Sequence, residues 1–113
     1  MRAVTCVSPV TNLLVLTEFS GIGEQQVRGL NAAHLAEKLA GRAVWLSIGN
    51  DDARVGTDDC IAFARKLTAE GRRQKSASKV APVELVVGPS EGHRAVDDAY
   101  GLAAQFTLKQ FAK

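Results

Sequence analysis

The sequence predicts an α/β fold, a three-layer αβα arrangement around a short parallel sheet, with elements in the order βαβαβα over a single domain, residues 1–113. Three observations carry this expectation. Residues 3–7 (AVTCV), 43–48 (AVWLSI) and 83–87 (VELVV) are apolar on nearly every position, as strands covered on both faces are. The segments around them have helical length and apolar residues at helical spacing. Strands alternating with helices connect by right-handed crossovers, so all three strands are expected to point the same way.

The first strand is short, β-branched and apolar, and Ser8-Pro9 ends it. From Val10 to Gly29 the pattern is irregular: Thr11-Asn12, Gly21 and Gly23 break it, and Leu13, Leu14, Leu16 and Phe19 are apolar anchors. A connection with one short helix fits. Leu30, Ala33, Ala36 or Leu35, and Leu39 then recur at helical spacing, with Gly41 where a C-cap glycine belongs, which predicts a helix over about 29–40.

After the second strand, Thr57 is a plausible N-cap, and Asp58 and Asp59 sit in the first turn where the helix dipole favours them. Ile61, Ala64 and Leu67 give the buried face of a helix ending near Gly71. Residues 72–81 read as a loop. The last helix is expected from about Val96 to Phe111, with Val96, Tyr100, Ala103, Ala104, Leu108 and Phe111 on one face.

A chain of 113 residues, 46% of them apolar, can bury a modest core. No apolar run approaches the ~20 residues that span a bilayer, and Met1-Arg2 leads directly into a strand-like run, so no secretory leader is visible; residues upstream would have carried any leader away with them. Localisation is cytoplasmic only by default. Cys6 and Cys60 match no metal-ligand spacing and are too few for a disulfide framework, so both read as small buried apolar residues.

The net charge of +2 is too small to argue for nucleic acid. Its basic part is local. Arg65, Lys66, Arg72, Arg73, Lys75 and Lys79, against Glu70 alone, suit a solvated helix end followed by a mobile loop, with a phosphate-binding patch as the alternative.

Two loops carry the chemistry. Gly49-Asn50-Asp51-Asp52-Ala53-Arg54-Val55 follows the second strand, and Ser90-Glu91-Gly92-His93 follows the third. In open α/β sheets ligands sit beyond the carboxyl ends of the strands, so Asp52 and His93 are expected to meet there. A carboxylate that holds one imidazole nitrogen leaves the other facing a nucleophile as a base.

IGNDDARVGTDD followed by VELVVGPSEGHR resembles the end of an α/β-hydrolase, nearest to the prolyl oligopeptidase and dienelactone hydrolase branches. Those families place the triad acid in a Gly-x-x-Asp-x-x-Val pattern after their penultimate core strand and the histidine after the last. Gly49, Asp52 and Val55 match the first pattern, which selects Asp52 over Asp51, and Gly92-His93 matches the second.

The resemblance covers essentially the whole chain and implies the carboxyl-terminal portion of a serine esterase or peptidase, with Asp52 and His93 catalytic and neither metal nor organic cofactor. It also implies a small ester or peptide substrate for the complete enzyme, with no nucleic acid or membrane as partner. The family's nucleophile sits in a Gly-x-Ser-x-Gly elbow on an earlier strand, and its oxyanion hole comes from that half too. Neither is present, so the chain alone is expected to be inactive. Its first strand would be an open apolar edge, prone to self-association or to pairing with a chain carrying the missing half.

Plainer readings stand beside these. Asp51 and Asp52 could be a polar turn capping the next helix, and His93 an exposed loop residue. Asp51, Asp52, Asp58 and Asp59 could suggest a magnesium site, although no Asp-x-Asp follows the first strand and no calcium-loop spacing is present. His34 reads as a surface or boundary residue. Gly21-Ile22-Gly23 lacks the third glycine of a dinucleotide fingerprint and follows no strand.

As substitute nucleophiles, Cys6 is inside a strand, Ser8 precedes a proline that removes an oxyanion-hole donor, and Ser90 is too near His93 in sequence. A stand-alone α/β binding or scaffold module, keeping the acid and histidine only as a remnant, is the competing class.

Overall fold

β2 (Ala43–Gly49) is buried on every residue, and the rest of the fold is arranged to make it so. The computed structural model describes residues 3–9, 11, 36–39, 41–74 and 83–112. β1 (Ala3–Val7) and β3 (Val83–Gly88) flank β2, both parallel to it, in the order β1-β2-β3. The uncharged sequence AVWLSIG suits that central position, because a strand with two neighbours and two covered faces has no place for a solvated side chain.

Alternation along β2 divides the core into two layers. Val44, Leu46 and Ile48 point to one face and pack with Ala36, Val55, Cys60, Phe63, Ala64 and Leu67. These come mainly from α2 (Thr57–Gln74), and Ala36 from the short α1 (Ala36–Leu39). Ala43 and Trp45 point to the other face, against Val96, Ala99, Ala103 and Phe106 of α3 (Ala99–Phe111) and the turn before it. Each large side chain so buried stabilises the fold by roughly 1.5–3 kcal/mol relative to exposure.

The expected parallel α/β sheet is therefore present, with β2 and β3 each one residue longer than the sequence suggested. Of the expected helix over 29–40, residues 36–39 form α1; the rest, the irregular segment from Val10 onward apart from Thr11, and His34 lie outside the described residues, as do Lys75 and Lys79. α2 continues to Gln74, past the expected stop at Gly71, which is itself buried. On α2, Ala64 and Leu67 are buried as expected, joined by Cys60 and Phe63, whereas Ile61 is only half-buried.

α3 departs further from expectation. It begins at Ala99, and its buried face is Ala99, Ala103 and Phe106, with Val96 beneath its start. Tyr100, Ala104, Leu108 and Phe111, assigned to the core by their spacing, are exposed. The physical reason is that α3 carries two apolar stripes. Both satisfy the helical period, and packing against Trp45 on the sheet selects the one with alanines, which allow close approach. No described helix is long and apolar enough to cross a membrane.

The two phenylalanines of α3 test this assignment. Phe106 is 4% exposed and Phe111 61%. Phe106→Ala is expected to lower unfolding free energy by about 3–5 kcal/mol and Phe111→Ala by no more than about 0.5 kcal/mol in urea titration. Equal costs would mean that the wrong stripe has been assigned to the core.

Candidate active site

The two loops leave the sheet side by side because Gly49 and Gly88 are register partners at the ends of β2 and β3. The pairing extends one step further: the Asn50 amide donates to the Gly88 carbonyl at 2.8 Å. From there the acid loop turns sharply back into α2. The Asp52 carbonyl accepts from the amides of both Gly56 and Thr57, each at 3.1 Å.

That turn buries the Asp52 side chain, while Asp51 beside it stays exposed. A buried carboxylate is tolerated only where donors meet it. Two do so here. The Val55 amide donates to Oδ1 at 3.0 Å, and His93 Nδ1 lies 2.8 Å from Oδ2. Asp52 has no side-chain exposure, whereas the His93 ring is 39% exposed. The acid sits inside and the imidazole stands at the surface.

A carboxylate only accepts, so this contact places the ring proton on Nδ1 and leaves Nε2 as the bare, basic nitrogen. Nε2 has no partner among the described residues. The pair is thus an oriented base, able to take a proton from a group brought to its outer side.

The Gly-x-x-Asp-x-x-Val residues each have a separate physical task. Gly49 lies against Ser90: a β-carbon at this position would overlap the Ser90 side chain, closer than van der Waals contact allows, so the two loops would have to shift apart. Asp52 supplies the carboxylate. Val55 offers its amide to Oδ1 and buries its side chain in the core behind the loop.

Two further residues complete the arrangement. The Thr57 hydroxyl donates to the Gly49 carbonyl at 2.5 Å and accepts from the Asp52 amide at 3.1 Å, closing the loop across its neck. The expected N-cap role is therefore corrected: Thr57 is the first residue of α2, and its side chain is turned back onto the acid loop. Ser90 braces the histidine loop, its hydroxyl bonding to the carbonyls of Gly92 at 3.3 Å and Arg94 at 3.1 Å. Gly92, at φ +64°, supplies the left-handed turn immediately before His93.

The sequence pointed to both hydroxyls for other reasons, Thr57 as a cap and Ser90 as a rejected nucleophile. Their actual tasks depend on two loops folding against each other, which no local pattern encodes.

The alternative nucleophiles are poorly placed. The Ser8 hydroxyl is buried and has no hydrogen-bond partner among the described residues, so no base is at hand to activate it, and the Ser90 hydroxyl is engaged by the carbonyls of its own loop. Burial pushes the Cys60 thiol up to about 11, with Cys6 and Asp52 adding to the shift, and burial also raises Cys6. Among the described residues, no group of three or more His, Cys, Asp or Glu is gathered to hold a metal ion. Asp58 and Asp59 lie in the first turn of α2, as expected of helix-start residues.

Two measurements follow from this geometry. Imidazole nitrogen NMR of the neutral ring should find the His93 proton on Nδ1, with Asp52→Ala moving population to the Nε2–H tautomer; an unchanged ratio would mean that the contact does not hold the ring. For the thiols, thiolate appears only as pH rises towards the raised pKa, about 11 for Cys60. Folded protein should therefore resist iodoacetamide at neutral pH, and urea-unfolded protein should react at both cysteines.

Comparison with protein-family models, with curated proteins and with solved structures finds no match to this chain.

Proposed function

We propose that this chain is the acid-and-base portion of a serine hydrolase of the α/β-hydrolase fold, acting on an ester or peptide bond. The observation that carries the reading is the 2.8 Å contact between buried Asp52 and surface His93, joining two loops at the carboxyl ends of neighbouring parallel strands. The residue-by-residue match of Gly49, Asp52, Val55 and Gly92-His93 to the family patterns supports the same reading, as does the order β1-β2-β3.

In the proposed reaction His93 Nε2 takes the proton of a serine hydroxyl as that oxygen attacks the carbonyl carbon. Asp52 keeps the ring oriented and stabilises the imidazolium that forms. The tetrahedral intermediate collapses to an acyl-enzyme as His93 returns the proton to the leaving group. Water then repeats the sequence and frees the acid. The serine and the oxyanion-hole amides come from outside the described residues. By the family's arrangement the strand carrying the serine pairs with the free side of β1, which among the described strands has β2 as its only neighbour.

A fluorophosphonate probe tests the proposal on two proteins, this chain and the chain extended by its upstream reading frame. The extended protein is expected to label and the shorter one not. In the extended protein Asp52→Asn is expected to lower kcat by about 10³–10⁴-fold, with His93→Ala at least as severe. Failure of the extended protein to label would overturn the proposal in favour of a non-catalytic α/β module, and labelling of the short chain would place a nucleophile within it.

A further inference from the structure

The basic cluster noted in the sequence is split by the fold, and the division is informative. Arg73 turns to Glu70, its Nη2 lying 2.7 Å from a carboxylate oxygen. Arg65, Lys66 and Arg72 instead line one open groove of about 630 Å³ between α2 and β3. No carboxylate lines this groove among the described residues. Its floor is apolar: Ala64 from α2 belongs to the core, and Val83 and Leu85 of β3 pack partly buried against that core.

The groove therefore presents two chemistries at once. Three cations line it together with an apolar floor formed where α2 meets β3. Its volume falls in the range that encloses small organic ligands. A bare phosphate would satisfy the cations and leave the floor wet. An uncharged hydrocarbon would cover the floor and leave three cations unanswered. Only a molecule with an oxyanion head and an apolar chain matches both parts.

We propose that this groove binds an amphipathic anion, a medium-chain carboxylate or alkyl phosphate, its head between Arg65, Lys66 and Arg72 and its chain along Val83 and Leu85. The site is independent of the Asp52–His93 pair. α2 starts at the acid loop and Arg72 lies in its last turn, so the head-group end is far along the helix from the dyad.

Titration of the folded chain with octanoate, octyl phosphate, octanol and inorganic phosphate, followed by amide NMR, tests the proposal. Octanoate or octyl phosphate should bind saturably, with shifts concentrated in α2 and β3. Whichever of the two binds more tightly identifies the head group. Octanol and inorganic phosphate should each bind at least about tenfold more weakly, and Arg65→Gln with Arg72→Gln should weaken the anion by about tenfold. These exposed positions leave the core intact, and an unchanged circular dichroism spectrum checks it. Octanol binding as tightly as octanoate, inorganic phosphate as tightly as octyl phosphate, shifts centred elsewhere, or indifference to the arginine changes would each overturn the proposal.

Discussion

The burial of one carboxylate governs the carboxyl edge of this sheet. Removing Asp52 from water costs several kcal/mol unless hydrogen bonds replace the lost hydration. The loop takes a shape that provides them. It folds back so that the Val55 amide meets one oxygen, is tied at its neck by Thr57, and holds the second oxygen towards the neighbouring loop, where His93 meets it. Gly49 allows the two loops to touch, and Ser90 and Gly92 shape the turn from which His93 reaches the acid. Buried acid and exposed ring are one solution to one desolvation problem.

The strands were legible because each is apolar on nearly every residue, but the two-face cover that this pattern implies holds for β2 alone; β1 and β3, with one neighbour each among the described strands, are partly exposed, Glu84 among their exposed residues. Asp52 and His93 were legible because their loops follow such runs and carry recognisable spacing. Thr57 and Ser90 were not, since each acts across the loops: Thr57 reaches back over eight residues to Gly49, and Ser90 matters through its contact with Gly49 on another strand. The face of α3 was misread for a different reason. Tyr100, Leu108 and Phe111 are large and apolar, but the helix lies on the sheet with the stripe in which Ala99 and Ala103 allow close approach to the Trp45 side and Phe106 fills the remaining space.

The two faces of the sheet divide the labour. The α2 face holds the larger part of the described apolar core, including Val55 from the acid loop itself, so the loop is anchored into that core. The histidine loop is held more lightly, by Ser90 and by Val96 packing behind Gly88 on the α3 face. Acid and base therefore differ in anchoring as well as in exposure: the carboxylate is held from within the fold, and the imidazole meets it from the surface.

The Asp52–His93 contact spans 41 residues, with the whole of α2 folded between its partners. Contacts of such long range form only after the intervening chain has closed, and a slip of β3 along β2 by one residue would turn its side chains to the opposite faces of the sheet. The contact is thus a gauge of strand register: it closes when β3 lies in its native alignment against β2. A chain with β3 misaligned would present an unoriented imidazole and an unmatched carboxylate, so the oriented base depends on the native register of β3 against β2.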